Sequence, residues 1–596
     1  MGEFRKRALR LLGAAAALTL PVAPKSAAAR QREQREAQRA PVTVPALAGW
    51  SAEAGSYLYG RGTRLVADTP AERRVADTLA DDLRAAGHGT VPVVPGGART
   101  GDIVIDVRAS RSALGTEGYE LRAGRRLSVT GATETGAFYG TRTLLQLLAQ
   151  GEEIPAGRTF DVPRYRERGL GVCACYVHIT LPWLENLVRE MAYHKLNQLL
   201  VELKVRSDAD PEADTWGYCT KDEIRRLVAL GDRYHVEIIP EINSPGHMDP
   251  WIVNRPDLQL TDSDGDKQPA RLDVTQQKAF DYYTSLMDEY ARVFTAKSWH
   301  MGADEYMLGS DCSTYPQMLK YAQEKYGSSA TPQDAYVDFV NRVQAYVASK
   351  GRKLRIWNDG LTGADTVPVA AGTTVEHWLN VTVKPSRLIA QGHPLMNAAY
   401  SLYLVRGGFH SDTASLYDQS WDPRSFEGEK LDSGKGVTGA KVSLWPDNGR
   451  GETENEVAVE LWPALRHIAQ AAWGDPHPDA TYAEFTARGT AVGHAPGWRD
   501  HTARGSDGRS AVTRGGDGAR ARARRRGRRP PGPPSPARRT VRPGSPRAGR
   551  RPPRRSRARR CRRPRSPRRA RCRAGSGGTA CRRRRPSPGR RSGTGR

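Results

Sequence analysis

From residue 163 to 475 the chain alternates short apolar runs with stretches whose apolar positions recur at helical spacing. The runs fall at 168–176, 198–205, 236–242, 298–303, 353–358, 373–379, 394–402 and 440–445, and they predict eight strands. Between them, Leu184, Leu187, Val188 and Met191 mark one helix face, and Thr220 through Glu223 read as a capping box opening another helix. A further helix is predicted over 332–350, with Gly351 placed to end it. Eight strands, each followed by a helix or crossover, predict a TIM (β/α)8 barrel over 163–475. Upstream, 42–162 mixes strand-like runs at 101–107 and 126–130 with a predicted helix over 139–150, whose Leu144, Leu145, Leu147 and Leu148 form a broad apolar face. This segment is expected to be a small N-terminal α/β domain, so the fold class is α/β.

The two ends break this pattern. Arg5, Lys6, Arg7 and Arg10 precede an apolar run over 11–23 and then Ala27-Ala28-Ala29. Residues 1–29 therefore read as a secretory signal, and the expected location is extracellular. Past residue 500, Arg, Pro, Gly, Ser and Ala take over, a composition that buries no core and predicts disorder over 500–596. This tail is suited to non-specific contact with polyanions; it is also what a GC-rich gene gives when read out of frame, the reading favoured here.

Charge changes the picture only once the tail is set apart. The net charge of +27 suggests a polyanion partner, yet 501–596 alone holds 35 arginines and 2 aspartates. The rest of the chain is therefore mildly acidic, and nothing in it calls for a specific nucleic acid. No stretch past the signal is long and apolar enough for a transmembrane segment. Cys173, Cys175, Cys219 and Cys312 lie in the body and Cys561, Cys572 and Cys581 in the tail. The body cysteines suffice for one or two disulfides of undetermined pairing. Cys173-Ala174-Cys175 lacks a partner pair at metal spacing, so no metal is expected.

The candidate chemistry lies at the ends of the predicted strands, where a barrel of this kind holds its active site. The fourth run ends Gly302-Ala303-Asp304-Glu305. In mid-strand, neighbouring acids point to opposite faces; at a strand end with small residues, both can face one pocket. Two like charges in a desolvated pocket raise at least one pKa, which supplies a proton donor beside an anion. Other run ends carry Glu241 to His247, Trp357-Asn358-Asp359, His377-Trp378, Tyr400 with Tyr403, and Trp445-Pro446-Asp447. Aromatic faces interspersed with acids and amides are the lining a sugar site needs.

The string His300-Met301-Gly302-Ala303-Asp304-Glu305 resembles the HxGxDE signature of glycoside hydrolase family 20, the retaining β-N-acetylhexosaminidases and lacto-N-biosidases. Arg168-Gly169-Leu170, His194 to Asn197, Ile239 to Ile242 and Pro245-Gly246-His247 follow in family order, and 117–148 resembles the family's small N-terminal domain. The resemblance implies a glycosidase acting on an oligosaccharide or glycoconjugate substrate; the signal makes it a secreted one, and no cofactor is expected. It implies Glu305 as general acid/base and Asp304 as the group that orients the substrate's 2-acetamido arm, whose carbonyl attacks the anomeric carbon. Tyr403 would bond the acetamide oxygen, and Trp357, Trp378 and Trp445 would wall it in. Arg168 would grip sugar hydroxyls with Asp447 assisting, and His247 would sit near the general acid. Two departures stand out. Lys204-Val205-Arg206 replaces a paired-aspartate segment, leaving Asp208 or Asp210 as substitutes, and Val405 stands where exo-hexosaminidases keep an aspartate. The leading expectation is release of terminal β-linked N-acetylhexosamine. Lacto-N-biosidase action, releasing a disaccharide, is the alternative, and a non-catalytic carbohydrate-binding barrel is the rival of another class.

Overall fold

A computed structural model describes residues 40–499 except 176, 209–218, 307–313, 362–365, 381–382, 406–409 and 448–451. The expected signal (1–29), the tail (500–596), Asp210 and Cys312 lie outside the described residues.

The N-terminal unit is a seven-stranded mixed sheet built from residues 51–161. Its central pairings run parallel between Ile103–Val107 and Leu127–Gly131 and antiparallel between Leu127–Gly131 and Tyr119–Ala123. Helices Pro70–Ala85 and Glu134–Leu148 pack against it. The second helix starts five residues before the expected 139, because the Thr133 side chain accepts the Gly136 N–H and caps it there.

Eight parallel strands close the barrel: Glu167–Cys173, Gln198–Glu202, Glu237–Ser244, Ser298–Gly302, Lys353–Trp357, Thr374–His377, Leu395–Asn397 and Val437–Trp445, numbered here as barrel strands 1 to 8. The last pairs with both the seventh and the first, which completes the ring. Thr220 caps Lys221–Arg233 reciprocally with Glu223, and Pro332–Ser349 stops ahead of Gly351 at φ +72°. The seventh run departs from a continuous strand over 394–402. Leu395–Asn397 pairs with the lower half of strand 8, a 3-10 turn over Tyr400–Leu402 follows, and Tyr403–Val405 then pairs with Ser443 to Trp445 at the top. That break carries Tyr403 to the C-terminal rim. Among the described residues no helix is long and apolar enough to cross a membrane.

Sheet and barrel meet at the N-terminal end of the strands, and Arg168 is the centre of that contact. Its guanidinium donates to both carboxylate oxygens of Glu117 at 3.0 and 2.9 Å, to the Lys195 carbonyl at 2.7 Å and to the Tyr165 carbonyl at 2.8 Å. The Trp473 ring lies beneath it, and Trp473 Nε1 donates to Asp161 at 2.9 Å. Arg168 is wholly buried at the opposite end of the barrel from the strand termini. The expectation that it grips substrate is thereby corrected: at the second position of strand 1 its side chain reaches the N-terminal sheet, and its donors are used there.

Candidate active site

Strand 4 carries the acid pair into the barrel mouth by leaving the extended conformation. Gly302, Ala303 and Glu305 have φ values of +72°, +73° and +51°, so the two-residue alternation fails where it would have sent Asp304 and Glu305 to opposite faces. Left-handed non-glycine residues each cost of order 1–3 kcal/mol, and the surroundings hold them. The Ala303 N–H donates to the Ser244 carbonyl at 3.1 Å, and Tyr336 Oη donates to the Ala303 carbonyl at 2.6 Å. The Glu305 N–H donates to Asp359 Oδ2 at 2.7 Å. Both carboxylates consequently line one cavity of about 410 Å3.

The aromatic wall comes from four other strand ends. Trp378 stacks on Tyr403 with ring centres 5.5 Å apart and planes within 4°. Trp357 stands across Trp445 at 6.0 Å and 72°, and Tyr403 lies 5.9 Å from Trp445. Acids fix two of these rings: Trp357 Nε1 donates to Glu241 Oε1 at 2.9 Å and Trp378 Nε1 to Asp359 Oδ1 at 2.8 Å. Beneath them the barrel interior is charged. His300 lies between Glu241 and Glu376, and Arg355 and Lys441 both pair with Glu376.

Electrostatics separate the two catalytic candidates. Burial raises the Asp304 carboxyl above its ordinary pKa, against the pull of His247. Glu305, more exposed, is held below its ordinary value by the hydrogen bond from His247, whose Nε2 lies 3.3 Å from Glu305 Oε2 and 3.7 Å from Asp304 Oδ2. Burial disfavours the His247 cation, but Asp304 and Glu305 outweigh it and lift the imidazole to about 10. Asp359 is pushed up to about 7 by burial and by Asp304, and Asp447 is raised by burial and by Glu305. Burial thus makes Asp304 the first of the two to take a proton, whereas the residue expected to donate one is an anion paired to His247 in the free site.

Of the residues singled out from sequence, Asp304, Glu305, His247, Trp357, Trp378, Tyr403, Trp445 and Asp447 line this cavity, and Arg168 does not. The Val405 side chain lies outside the described residues. Asp208 offers no carboxyl support here; its side chain is 80% exposed and pairs with Lys221. Sequence reasoning missed Glu202, at the end of strand 2, which lines the cavity and is raised well above the usual carboxylate range by burial and by Glu241. A lone acid closing the apolar run Leu199-Leu200-Val201 was the available signal. Cys173 and Cys175, at the end of strand 1, form a disulfide that lines the same cavity.

Profiles described as glycosyl hydrolase family 20, domain 2, and glycosyl hydrolase family 20, catalytic domain, match residues 40–162 and 192–476. The chain belongs to glycosyl hydrolase family 20. Within that family it is 39% identical over 491 residues to a lacto-N-biosidase of Bifidobacterium bifidum, a match covering 81% of this chain and 44% of that protein. The chain thus spans less than half the length of that relative. It is 24% identical over 364 residues to beta-hexosaminidase subunit A1 of Dictyostelium discoideum, covering 57% of this chain and 65% of the other. Among solved structures, a mutant Streptomyces plicatus beta-hexosaminidase in complex with GlcNAc superposes with a TM-score of 0.61 at 23% identity, covering 76% of this chain and 94% of that one. A Vibrio harveyi family 20 exo beta-N-acetylglucosaminidase gives 0.64 at 19% identity, covering 76% and 77%. These likenesses establish the barrel with its preceding α/β domain as the family 20 fold.

Proposed function

We propose that this chain is a retaining glycosidase that cleaves glycans at a β-linked N-acetylhexosamine and releases a terminal disaccharide of the lacto-N-biose type. The observation that carries this reading is the convergence of Asp304 and Glu305 beneath the box of Trp357, Trp378, Tyr403 and Trp445. In the reaction the 2-acetamido carbonyl attacks the anomeric carbon while Glu305 protonates the departing oxygen. Asp304 takes the acetamide N–H and Tyr403 Oη bonds its oxygen, so the nucleophile is the substrate's own. His247 and Glu305 hold one proton between them. A sugar filling the cavity expels water, which disfavours the separated charges and moves that proton to Glu305 Oε2. Glu305 then accepts a proton from the incoming water as the ring intermediate opens.

Disaccharide release is favoured by the lacto-N-biosidase match and by a cavity lining that takes in Lys204, Asp249 and Trp251 besides the aromatic box. Release of a single N-acetylhexosamine is the second reading, supported by the hexosaminidase relatives. Hydrolysis of a chromogenic β-lacto-N-bioside and of a β-N-acetylglucosaminide separates them. Turnover of the disaccharide alone supports the first and turnover of the monosaccharide the second. A folded chain that turns over neither and binds no thiazoline intermediate mimic would make it a non-catalytic barrel. Export belongs to the same reading, and N-terminal sequencing of protein from the culture medium checks cleavage after about residue 29.

A further inference from the structure

The catalytic reading leaves one group of cavity residues without work. Cys173 is the last residue of strand 1, and the barrel register places it opposite Glu202, the last residue of strand 2. The Ala174 N–H donates to the Glu202 carbonyl at 3.0 Å and keeps the two strand ends together past that point. Past the strand's end a bend brings Cys175 back beside Cys173, with the two Cα atoms 5.2 Å apart. One donor atom from each of Cys173, Cys175 and Glu202 therefore falls within 4.8 Å of the others, and Cys175 Sγ lies 3.9 Å from Glu202 Oε2.

We propose that Cys173, Cys175 and Glu202 form a thiol-dependent metal site in the wall of the sugar cavity, closed while the disulfide is intact and able to take one Zn2+ ion once it is reduced. A donor set of two thiolates and one carboxylate favours zinc over hard cations. A tetrahedral ion with bonds of about 2.3 Å to sulfur places its sulfurs about 3.8 Å apart. The two thiols reach that spacing by side-chain rotation after the S–S bond opens. Reduction by a dithiol R(SH)2 gives two cysteine thiols and the cyclic disulfide of R. Zinc binding then displaces to solvent the two thiol protons and the proton held by the Glu202 carboxyl. Three protein ligands leave the fourth position facing the cavity that Asp304 and Glu305 line, so the bound ion stands in the sugar's path. The disulfide thus keeps the pocket free of soft metals in an oxidising compartment.

The test is zinc stoichiometry on the full chain, reduced with a dithiol and desalted without oxygen, beside the oxidised chain and the reduced Cys173→Ser variant. Because Cys219 and the remaining cysteines contribute a common background to the reduced samples, the difference between reduced wild type and reduced variant carries the result. The reduced wild type is expected to bind one more equivalent than either control, and Glu202→Gln to weaken that equivalent by roughly tenfold. Equal stoichiometry in all three samples overturns the site, as does an extra equivalent that survives Cys173→Ser. If that variant does not fold, reduced wild type against reduced Glu202→Gln decides. Zinc should also abolish glycoside turnover by the reduced chain and spare the oxidised one. A chain with no turnover in any state would defeat the proposed function while the stoichiometry still decides the metal site.

Discussion

His247 Nε2 lies 3.3 Å from Glu305 Oε2, and this contact fixes which of the two holds the proton in the free site. Glu305 stands below its ordinary pKa and His247 near 10, so the pair carries one proton over a wide pH span. The one-proton state is the one that delivers to the leaving group, and on the alkaline side it is lost as pH rises through about 10. His247→Gln removes the cation, and the Glu305 pKa returns upward toward the carboxylate range. Activity then requires a protonated lone carboxyl. The alkaline limb of kcat/KM is therefore expected to move acidward by several pH units, with a loss of roughly 10²–10³-fold at pH 7. An unchanged alkaline limb would show that His247 does not share the proton.

Glu305→Gln and Asp304→Asn should separate the two acids. General acid catalysis contributes about 10²–10⁴-fold, so Glu305→Gln is expected to lose that much on substrates with poor leaving groups and far less on an aryl glycoside whose leaving group departs without a proton. Asp304→Asn should slow both substrates and weaken binding of a thiazoline mimic, because it acts on the acetamide arm. Steady-state kinetics with the substrate pair and calorimetry with the mimic check this. Equal losses on both substrates in Glu305→Gln would remove it from the acid role.

Arg168→Ala tests the reassignment of that residue. Its bidentate pair with Glu117 is buried between sheet and barrel, and removing one partner of such a pair costs about 3–5 kcal/mol. Urea denaturation should show that loss, with KM for substrate unchanged in the fraction that folds. A stable variant with a raised KM would return Arg168 to the sugar.

The barrel was legible because its signal is a repeat: eight apolar runs with helices between them constrain one another even where a single boundary is wrong. The acid pair was legible for a local reason, since Gly302-Ala303 before two carboxyls announces a backbone turn. Arg168 was misplaced because sequence order gives a residue's strand without saying which end of the barrel its side chain reaches; that depended on Glu117, fifty-one positions away. Glu202 was passed over because a single acid ending an apolar run is also what a solvated strand end looks like. That one acid of the pair is raised was legible, but which one was not, as that depends on burial and on distances from His247 to two acids on another strand.

Gly302 and Gly351 share a φ of +72° and differ in what surrounds them, which makes them a matched pair. A Cβ at Gly351 would meet nothing within 4 Å, so Gly351→Ala should cost only the left-handed strain, about 1–2 kcal/mol. A Cβ at Gly302 would fall 1.9 Å from Asn243 Oδ1 and 2.9 Å from Asn243 Cα. Rotating the amide away removes the first clash and leaves the second, because the Cα belongs to strand 3. Gly302→Ala is therefore expected to cost roughly 2–4 kcal/mol. It should also reduce turnover at least tenfold, since Asn243 lines the cavity and the next residues are Ala303 and the acid pair. Gly351→Ala, at the far end of a helix, should leave turnover unchanged. Thermal unfolding of both variants measures the difference. Equal losses of stability would mean that the packing at Asn243 yields, and that Gly302 is needed for its backbone conformation alone.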